Sequence, residues 1–81
     1  MNEIEEIPGT TLYLYSDGSI GMDGMNFEYV SSNSGVLNVN ITINGSTKNY
    51  NLPIGQETKI DNLKNPILVE AEDDYFLINF R

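Results

Sequence analysis

The chain contains no cysteine, no histidine and no tryptophan, and its 81 residues include only four of Lys or Arg. Without cysteine, no disulfide can cross-link the fold, and without cysteine and histidine the usual zinc ligands are missing. The same absences remove the side chains that most often act as nucleophile or general base near neutral pH. We therefore expect a protein that is not an enzyme and that carries no metal or cofactor.

Three other groupings could in principle support chemistry. Ser46 and Lys48 lie two residues apart beside a turn, which is a spacing that chance often produces. Glu70 and Glu72 would stand ~6.6 Å apart along a strand, within the carboxyl separation of glycosidases, but so small a domain has little room for a water-excluding cleft. The oxygen-rich segment that starts at Asp17 departs from the EF-hand pattern, because its sixth residue is methionine instead of glycine.

Acidic residues dominate the charge balance: twelve Asp and Glu face the four cations, for a net charge of −8. Binding to nucleic acid requires a basic surface, and adhesion to an anionic membrane does so too. Direct contact with either is therefore disfavoured, and a basic protein is the favoured partner. The simpler alternative is that the acidity only keeps a small domain in solution.

The amino-terminal residues carry Glu3, Glu5 and Glu6 where a signal peptide would carry Lys or Arg. No apolar run approaches the ~20 residues of a membrane-spanning helix. We therefore expect a cytoplasmic protein. Residues 1–9 are acidic and end in a Pro-Gly turn, which predicts an arm or edge strand before a single β domain over residues 10–81.

Strand-forming residues alternate with turn residues through most of that domain. Asp17-Gly18 predicts a two-residue hairpin turn, with Tyr15 opposite Ile20 and Tyr13 opposite Met22. Residues 25–31 alternate as a half-buried strand, and residues 31–35 read as a loop.

Asn44-Gly45 is the strongest hairpin pattern, and it pairs Ile41 with Lys48, Val39 with Tyr50 and Leu37 with Leu52. The opposite face of that hairpin is polar and should be in water; it comprises Asn38, Asn40, Thr42, Thr47, Asn49 and Asn51.

Turn-forming residues fill the stretch from Pro53 to Asn65, with one short strand expected around Glu57–Ile60. A last hairpin over 66–80, with Asp73-Asp74 as its turn, places Ala71 opposite Phe76, with further pairs Val69–Ile78 and Ile67–Phe80. No helical periodicity is sustained anywhere. The pattern predicts an all-β fold of about seven short strands built from hairpins, as a small antiparallel sandwich, roll or partly open barrel.

The last hairpin also gives the clearest candidate binding surface. Glu70, Glu72 and the Asp73-Asp74 turn should form a row of negative charge, and carboxylates on one strand face repeat every ~6.6 Å, comparable to phosphates along a nucleic-acid strand. Tyr75 and Leu77 share that face and are candidates for its apolar anchor. Such a surface could imitate DNA to a basic protein, whereas the ordinary alternative is a solvated outer face.

In size, charge, lack of cysteine and histidine, and β content, the chain resembles small acidic bacteriophage proteins that mimic DNA, such as inhibitors of the nucleoid protein HU. The resemblance involves no alignable motif, so it assigns no residue a role. It implies a stoichiometric inhibitor that occupies a DNA-binding groove in the host bacterial cytoplasm.

Two other functional classes remain open on the sequence. One is a structural or adhesive module that pairs through exposed strand edges, including a homodimer formed through Leu68 and Leu77. The other is a ligand-binding module with an aromatic platform, drawn from the five tyrosines Tyr13, Tyr15, Tyr29, Tyr50 and Tyr75.

We expect the purified protein to be inert as a catalyst and to contain no stoichiometric zinc, because it has neither histidine nor cysteine. Elemental analysis of native protein tests this expectation. A zinc content near one per chain, or an activity on any substrate that Glu70→Gln abolishes, would contradict it.

Overall fold

Eight strands and no helix make up the computed structural model, which describes residues 8–22 and 24–81. The strands form two four-stranded antiparallel sheets that pack as a sandwich, so the all-β prediction is confirmed. Sheet A has the order β1-β8-β7-β6, and sheet B has the order β2-β3-β4-β5. The strands are β1 (Thr11–Tyr15), β2 (Ser19–Met22), β3 (Met25–Asn33), β4 (Val36–Ile43), β5 (Ser46–Pro53), β6 (Glu57–Thr58), β7 (Ile67–Ala71) and β8 (Tyr75–Phe80).

Two predicted hairpins are confirmed with their registers. Asn44 and Gly45 both have positive φ, 52° and 84°, which is the conformation that a two-residue hairpin turn requires. Ile41 consequently pairs with Lys48, as the turn position predicts. The final hairpin turns at Asp73-Asp74, with pairs Ala71–Phe76, Val69–Ile78 and Ile67–Phe80.

The predicted hairpin at Asp17-Gly18 is wrong. A turn is present, since the Gly18 amide donates to the Tyr15 carbonyl at 2.9 Å, but it joins the two sheets. Strand β1 pairs with β8, and β2 pairs with β3, so Tyr15 does not face Ile20. The physical reason is the alternation of leucine and tyrosine along β1. Leu12 and Leu14 pack into the core, so the tyrosines, which carry polar hydroxyls, lie on the outer face.

The predicted loop at 31–35 is shorter than expected. Strand β3 continues to Asn33 beyond a register shift between Tyr29 and Ser31, and only Ser34 and Gly35 form the turn, both with positive φ. The short strand predicted near 57–60 covers Glu57–Thr58. The predicted amino-terminal arm, apart from its last two residues, lies outside the described residues. No helix in the described part of the chain could span a membrane.

The inner faces of the two sheets form one apolar core. Across it, the rings of Phe27 and Phe80 lie 6.3 Å apart, and Tyr29 stacks on Phe76 at 6.1 Å. The connection between β6 and β7 adds two fully buried side chains, Ile60 and Leu63, to this core. The buried residues are Leu14, Met25, Phe27, Leu37, Val39, Ile41, Ile43, Leu52, Ile60, Leu63, Ile67, Val69, Phe76, Ile78 and Phe80.

Gly21 is a position where the backbone of one strand approaches its neighbour closely. A Cβ there would lie 2.7 Å from the Met25 carbonyl oxygen, which belongs to the paired strand β3. We expect Gly21→Ala to lower the free energy of unfolding by about 1–3 kcal/mol, because backbone must move to relieve the overlap. Urea unfolding measures the effect.

Ser19→Ala, at an exposed position of the same strand, is the control and should change the unfolding midpoint little. Equal midpoints for the two variants would contradict the prediction.

Candidate binding face of sheet A

The outer surface of sheet A collects aromatic and acidic side chains from three strands. Tyr13 and Tyr15 of β1 point outwards and are 51% and 57% exposed. Strand β8 places Tyr75 directly opposite Tyr15 and Leu77 opposite Tyr13. Strand β7 adds Glu70, which pairs with Leu77 from the other side. We call this surface, made of Tyr13, Tyr15, Glu70, Glu72, Tyr75 and Leu77, the tyrosine face.

The ring of Tyr75 contacts those of both Tyr13 and Tyr15. The Tyr75 ring lies 5.4 Å from that of Tyr13 and 5.3 Å from that of Tyr15, centroid to centroid, and is tilted by 49° and 48° to them. Aromatic pairs favour such tilted contacts. The half-buried Tyr75 is thereby held between two rings whose remaining surface is exposed to solvent.

Hydrogen bonds fix the backbone at Glu72 and the side chain of Glu70 on the strand next to β8. The Glu72 amide donates to the Tyr75 carbonyl at 2.8 Å. A side-chain network positions Glu70: Thr11 Oγ1 donates to Asn79 Oδ1 at 2.8 Å, and Asn79 Nδ2 donates to Glu70 Oε1 at 3.3 Å. The exposed turn Asp73-Asp74 follows directly in the sequence, so four acidic residues lie on the β7–β8 hairpin that carries Tyr75.

No cation within residues 8–22 and 24–81 forms an ion pair with Glu70, Glu72 or the Asp73-Asp74 turn. Lys48 pairs instead with Asp61 at 3.0 Å, and Arg81 with Glu57 at 3.3 Å. Lys59 donates to the backbone carbonyl of Leu63. The negative charge of the tyrosine face therefore has no neutralising ion pair in the described part of the chain.

The environment of Tyr75 reflects both the burial and the charge of this face. Partial burial of the ring, followed by the negative charge of Glu72, raises the pKa of the Tyr75 phenol above its usual 10.0; the neighbouring Tyr13, Tyr15 and Asp73 act in the same direction. The hydroxyl is protonated at neutral pH, as in any tyrosine of ordinary pKa, and can donate a hydrogen bond.

The structure brings together Glu70, Glu72, Tyr75 and Leu77, with the Asp73-Asp74 turn beside them, in the positions that the last hairpin predicts. Sequence reasoning named Tyr13 and Tyr15 only for an aromatic platform and did not place them beside Tyr75, because the supposed hairpin at Asp17-Gly18 paired them with Met22 and Ile20. In β1, Leu12 and Leu14 alternate with the tyrosines, and this alternation indicates the observed orientation, with the leucines towards the core and the tyrosines outward. The other two tyrosines are not part of this surface: Tyr29 and Tyr50 pack against the core.

The outer surface of sheet B differs in chemistry. Asn38 Nδ2 donates to Asn49 Oδ1 at 2.8 Å and to Asn51 Oδ1 at 2.7 Å, while Asn49 Nδ2 donates to Asn40 Oδ1 at 2.9 Å. The Thr42 and Thr47 hydroxyls lie 2.7 Å apart. These amides and hydroxyls satisfy one another and form a mostly uncharged face, as the alternation predicts.

Concave features are modest. An open depression of about 420 Å³ lies beside Asn33, Val36 and Asn51, and a second cavity of about 20 Å³ lies between Lys48, Tyr50 and Asp61, which is room for one water. Among the described residues, no three acidic side chains converge so as to hold a metal ion.

We expect Glu72→Gln to lower the pKa of Tyr75, because the substitution removes a negative charge that disfavours the phenolate. The measurement is the ultraviolet absorbance of tyrosinate as a function of pH. Each protein, wild type or Glu72→Gln, is compared with the same protein carrying Tyr75→Phe, and the difference between the two curves is the titration of Tyr75. Because the pKa of Tyr75 is raised in the folded state, the protonated phenol contributes to the free energy of unfolding. That contribution is complete below the unfolded-state pKa of ~10 and is lost as the pH rises through the folded-state pKa.

Glu28→Gln, on the outer face of sheet B, is the matched control and should leave the Tyr75 midpoint in place. A Tyr75 midpoint that Glu72→Gln leaves unchanged would contradict the electrostatic contact.

Comparisons with protein-family models, curated proteins and solved structures find no match to the chain. Any functional conclusion therefore depends on the geometry and charge of its own surface.

Proposed function

We propose that the chain is a non-catalytic binding protein that captures the DNA-binding surface of a basic protein through the tyrosine face, and so excludes DNA. The observation that carries the proposal is the contact of the Tyr75 ring with the exposed rings of Tyr13 and Tyr15, on a sheet face whose acidic residues form no ion pair with a described cation. The proposal includes the location implied by the resemblance, which is the cytoplasm of a bacterial host of the phage.

Charge accounts for encounter and for choice of partner. A net charge of −8 attracts a basic surface and repels nucleic acid. Lys and Arg side chains that ordinarily hold DNA phosphates would meet Glu70, Glu72 and the Asp73-Asp74 turn instead. Complementary fields accelerate such association, and added salt screens them.

Apolar contact accounts for the remaining affinity. Exposed ion pairs contribute only about 0–1 kcal/mol each, so a row of carboxylates alone gives weak binding. Aromatic side chains are favoured anchors of protein interfaces, and Tyr75 is positioned by packing before any partner arrives, with Leu77 beside it. An anchor that is already ordered loses little conformational entropy on binding.

A second candidate is an aromatic-platform module for a small or carbohydrate ligand, and the adjacent exposed rings of Tyr13 and Tyr15 favour it. In that case the rings would bind and the carboxylates would be incidental. The two candidates differ in salt dependence, because stacking of a neutral ligand on rings does not depend on charge.

The test of the proposed function is competition with duplex DNA for basic nucleoid proteins, beginning with HU, followed by gel shift. We expect the wild-type protein to displace DNA at low salt and less well at high salt. Glu70→Lys/Glu72→Lys should abolish displacement, because it places cations where the partner presents its own.

Glu28→Lys/Asp61→Lys is a control with the same net charge, since it reverses two acidic residues outside the tyrosine face. It should retain most of the competition. Equal loss in both variants would show that only total charge matters, and competition that survives the reversal of Glu70 and Glu72 would refute the assigned face.

A further inference from the structure

The arrangement of rings and carboxylates on the tyrosine face fits one cationic side chain better than the other. Tyr13 and Tyr15 flank Tyr75 at nearly equal distances, and each exposes about half of its surface. The Glu72 backbone is hydrogen-bonded to that of Tyr75, and Glu70 is held by Asn79. A cation placed over the rings would therefore have carboxylates at one side.

Arginine and lysine make different use of such a surface. The guanidinium group is planar, weakly hydrated and able to stack on an aromatic face while its edge donates two hydrogen bonds to a carboxylate. The ammonium group is a compact and strongly hydrated charge, so covering it with rings has a larger desolvation cost. A face with both exposed rings and adjacent carboxylates favours the planar group.

We propose that the tyrosine face is an arginine-recognition site, in which a partner's guanidinium stacks on Tyr13 or Tyr15 and bonds by its edge to Glu72 or Glu70. The inference rests on the proposed function and specifies the chemistry of the partner: its contact surface presents arginine in preference to lysine. Tyr75 acts as a positioning residue that supports both outer rings from between.

Charge complementarity decides between this occupant and a second copy of the chain. Two tyrosine faces brought together would oppose the carboxylates of Glu70 and Glu72 to those of the other copy, with no ion pair from a described cation to offset the repulsion. An arginine-bearing partner brings the compensating charge and the flat group that the rings can cover.

The experiment measures binding of two peptides of equal length and charge, one alternating arginine with glycine and the other lysine with glycine. Fluorescence anisotropy at fixed ionic strength gives the affinities. We expect the arginine peptide to bind roughly three- to thirtyfold more tightly, in line with the range of cation–π energies. The arginine δ-methylene protons of the bound peptide should shift upfield by ring current.

Tyr13→Leu/Tyr15→Leu keeps apolar side chains at both exposed positions but removes the π faces, and it should abolish both the arginine preference and the upfield shift. Tyr13→Phe/Tyr15→Phe retains the rings and should retain the preference. Circular dichroism confirms that each variant is folded. Equal affinity for the two peptides in the wild type, or a preference that survives the leucine variant, would overturn the inference.

The peptide experiment tests the arginine preference and the DNA competition tests the proposed function, and each can give a negative result without the other. Competition with DNA without arginine preference would leave the proposed function standing and remove this inference. Arginine preference that requires the tyrosines, without competition for any basic DNA-binding protein, would support the site and remove the proposed function.

Discussion

The antiparallel pairing of β1 with β8 is the interaction on which the rest of the molecule depends. It runs from Thr11 opposite Asn79 to Tyr15 opposite Tyr75. Because it assigns β1 to sheet A while β2 belongs to sheet B, the turn at Asp17 must carry the chain from one layer of the sandwich to the other. The same pairing buries Leu14 in the core and assembles the aromatic cluster. If β1 paired with β2 instead, the carboxylates of β7 would have Tyr75 and Leu77 beside them but no further rings.

Local patterns predicted those parts of the fold that local interactions determine. The turns at Asn44-Gly45 and Asp73-Asp74 connect neighbouring strands, so turn chemistry and alternation were sufficient to give both registers. At Asp17-Gly18 the presence of a turn was predicted, but the turn is closed between Tyr15 and Gly18 and the partner strand was wrong. The choice between β2 and β8 depends on which face of β1 the core accepts. The part of the candidate site on the last hairpin could therefore be predicted from local turn chemistry. The contribution of Tyr13 and Tyr15 could not, because it depends on the pairing of β1 with β8.

The two outer faces satisfy their polar groups in opposite ways. On sheet B, side-chain amides such as Asn38 and Asn49 bond to one another across neighbouring strands, which stabilises the sheet through cross-strand pairs and leaves a mostly neutral surface. On sheet A, the aromatic rings cover one another while the carboxylates remain without a cation among the described residues. The two outer faces of the sandwich therefore differ in chemistry: the polar side chains of sheet B bond to one another, whereas the carboxylates of sheet A form no ion pair with a described cation.

The separation of Thr11 and Asn79 by 68 positions in the sequence means that the tyrosine face forms only when a long-range strand pairing forms. Closing a loop of that length costs roughly 4 kcal/mol of chain entropy, and non-local pairings of this kind slow the folding of small β domains. Among the strands of residues 8–22 and 24–81, β1 is hydrogen-bonded only to β8, so its detachment from β8 would separate Tyr13 and Tyr15 from Tyr75. A ligand that bridges the rings would oppose that opening, and its binding free energy would add to the stability of the folded state.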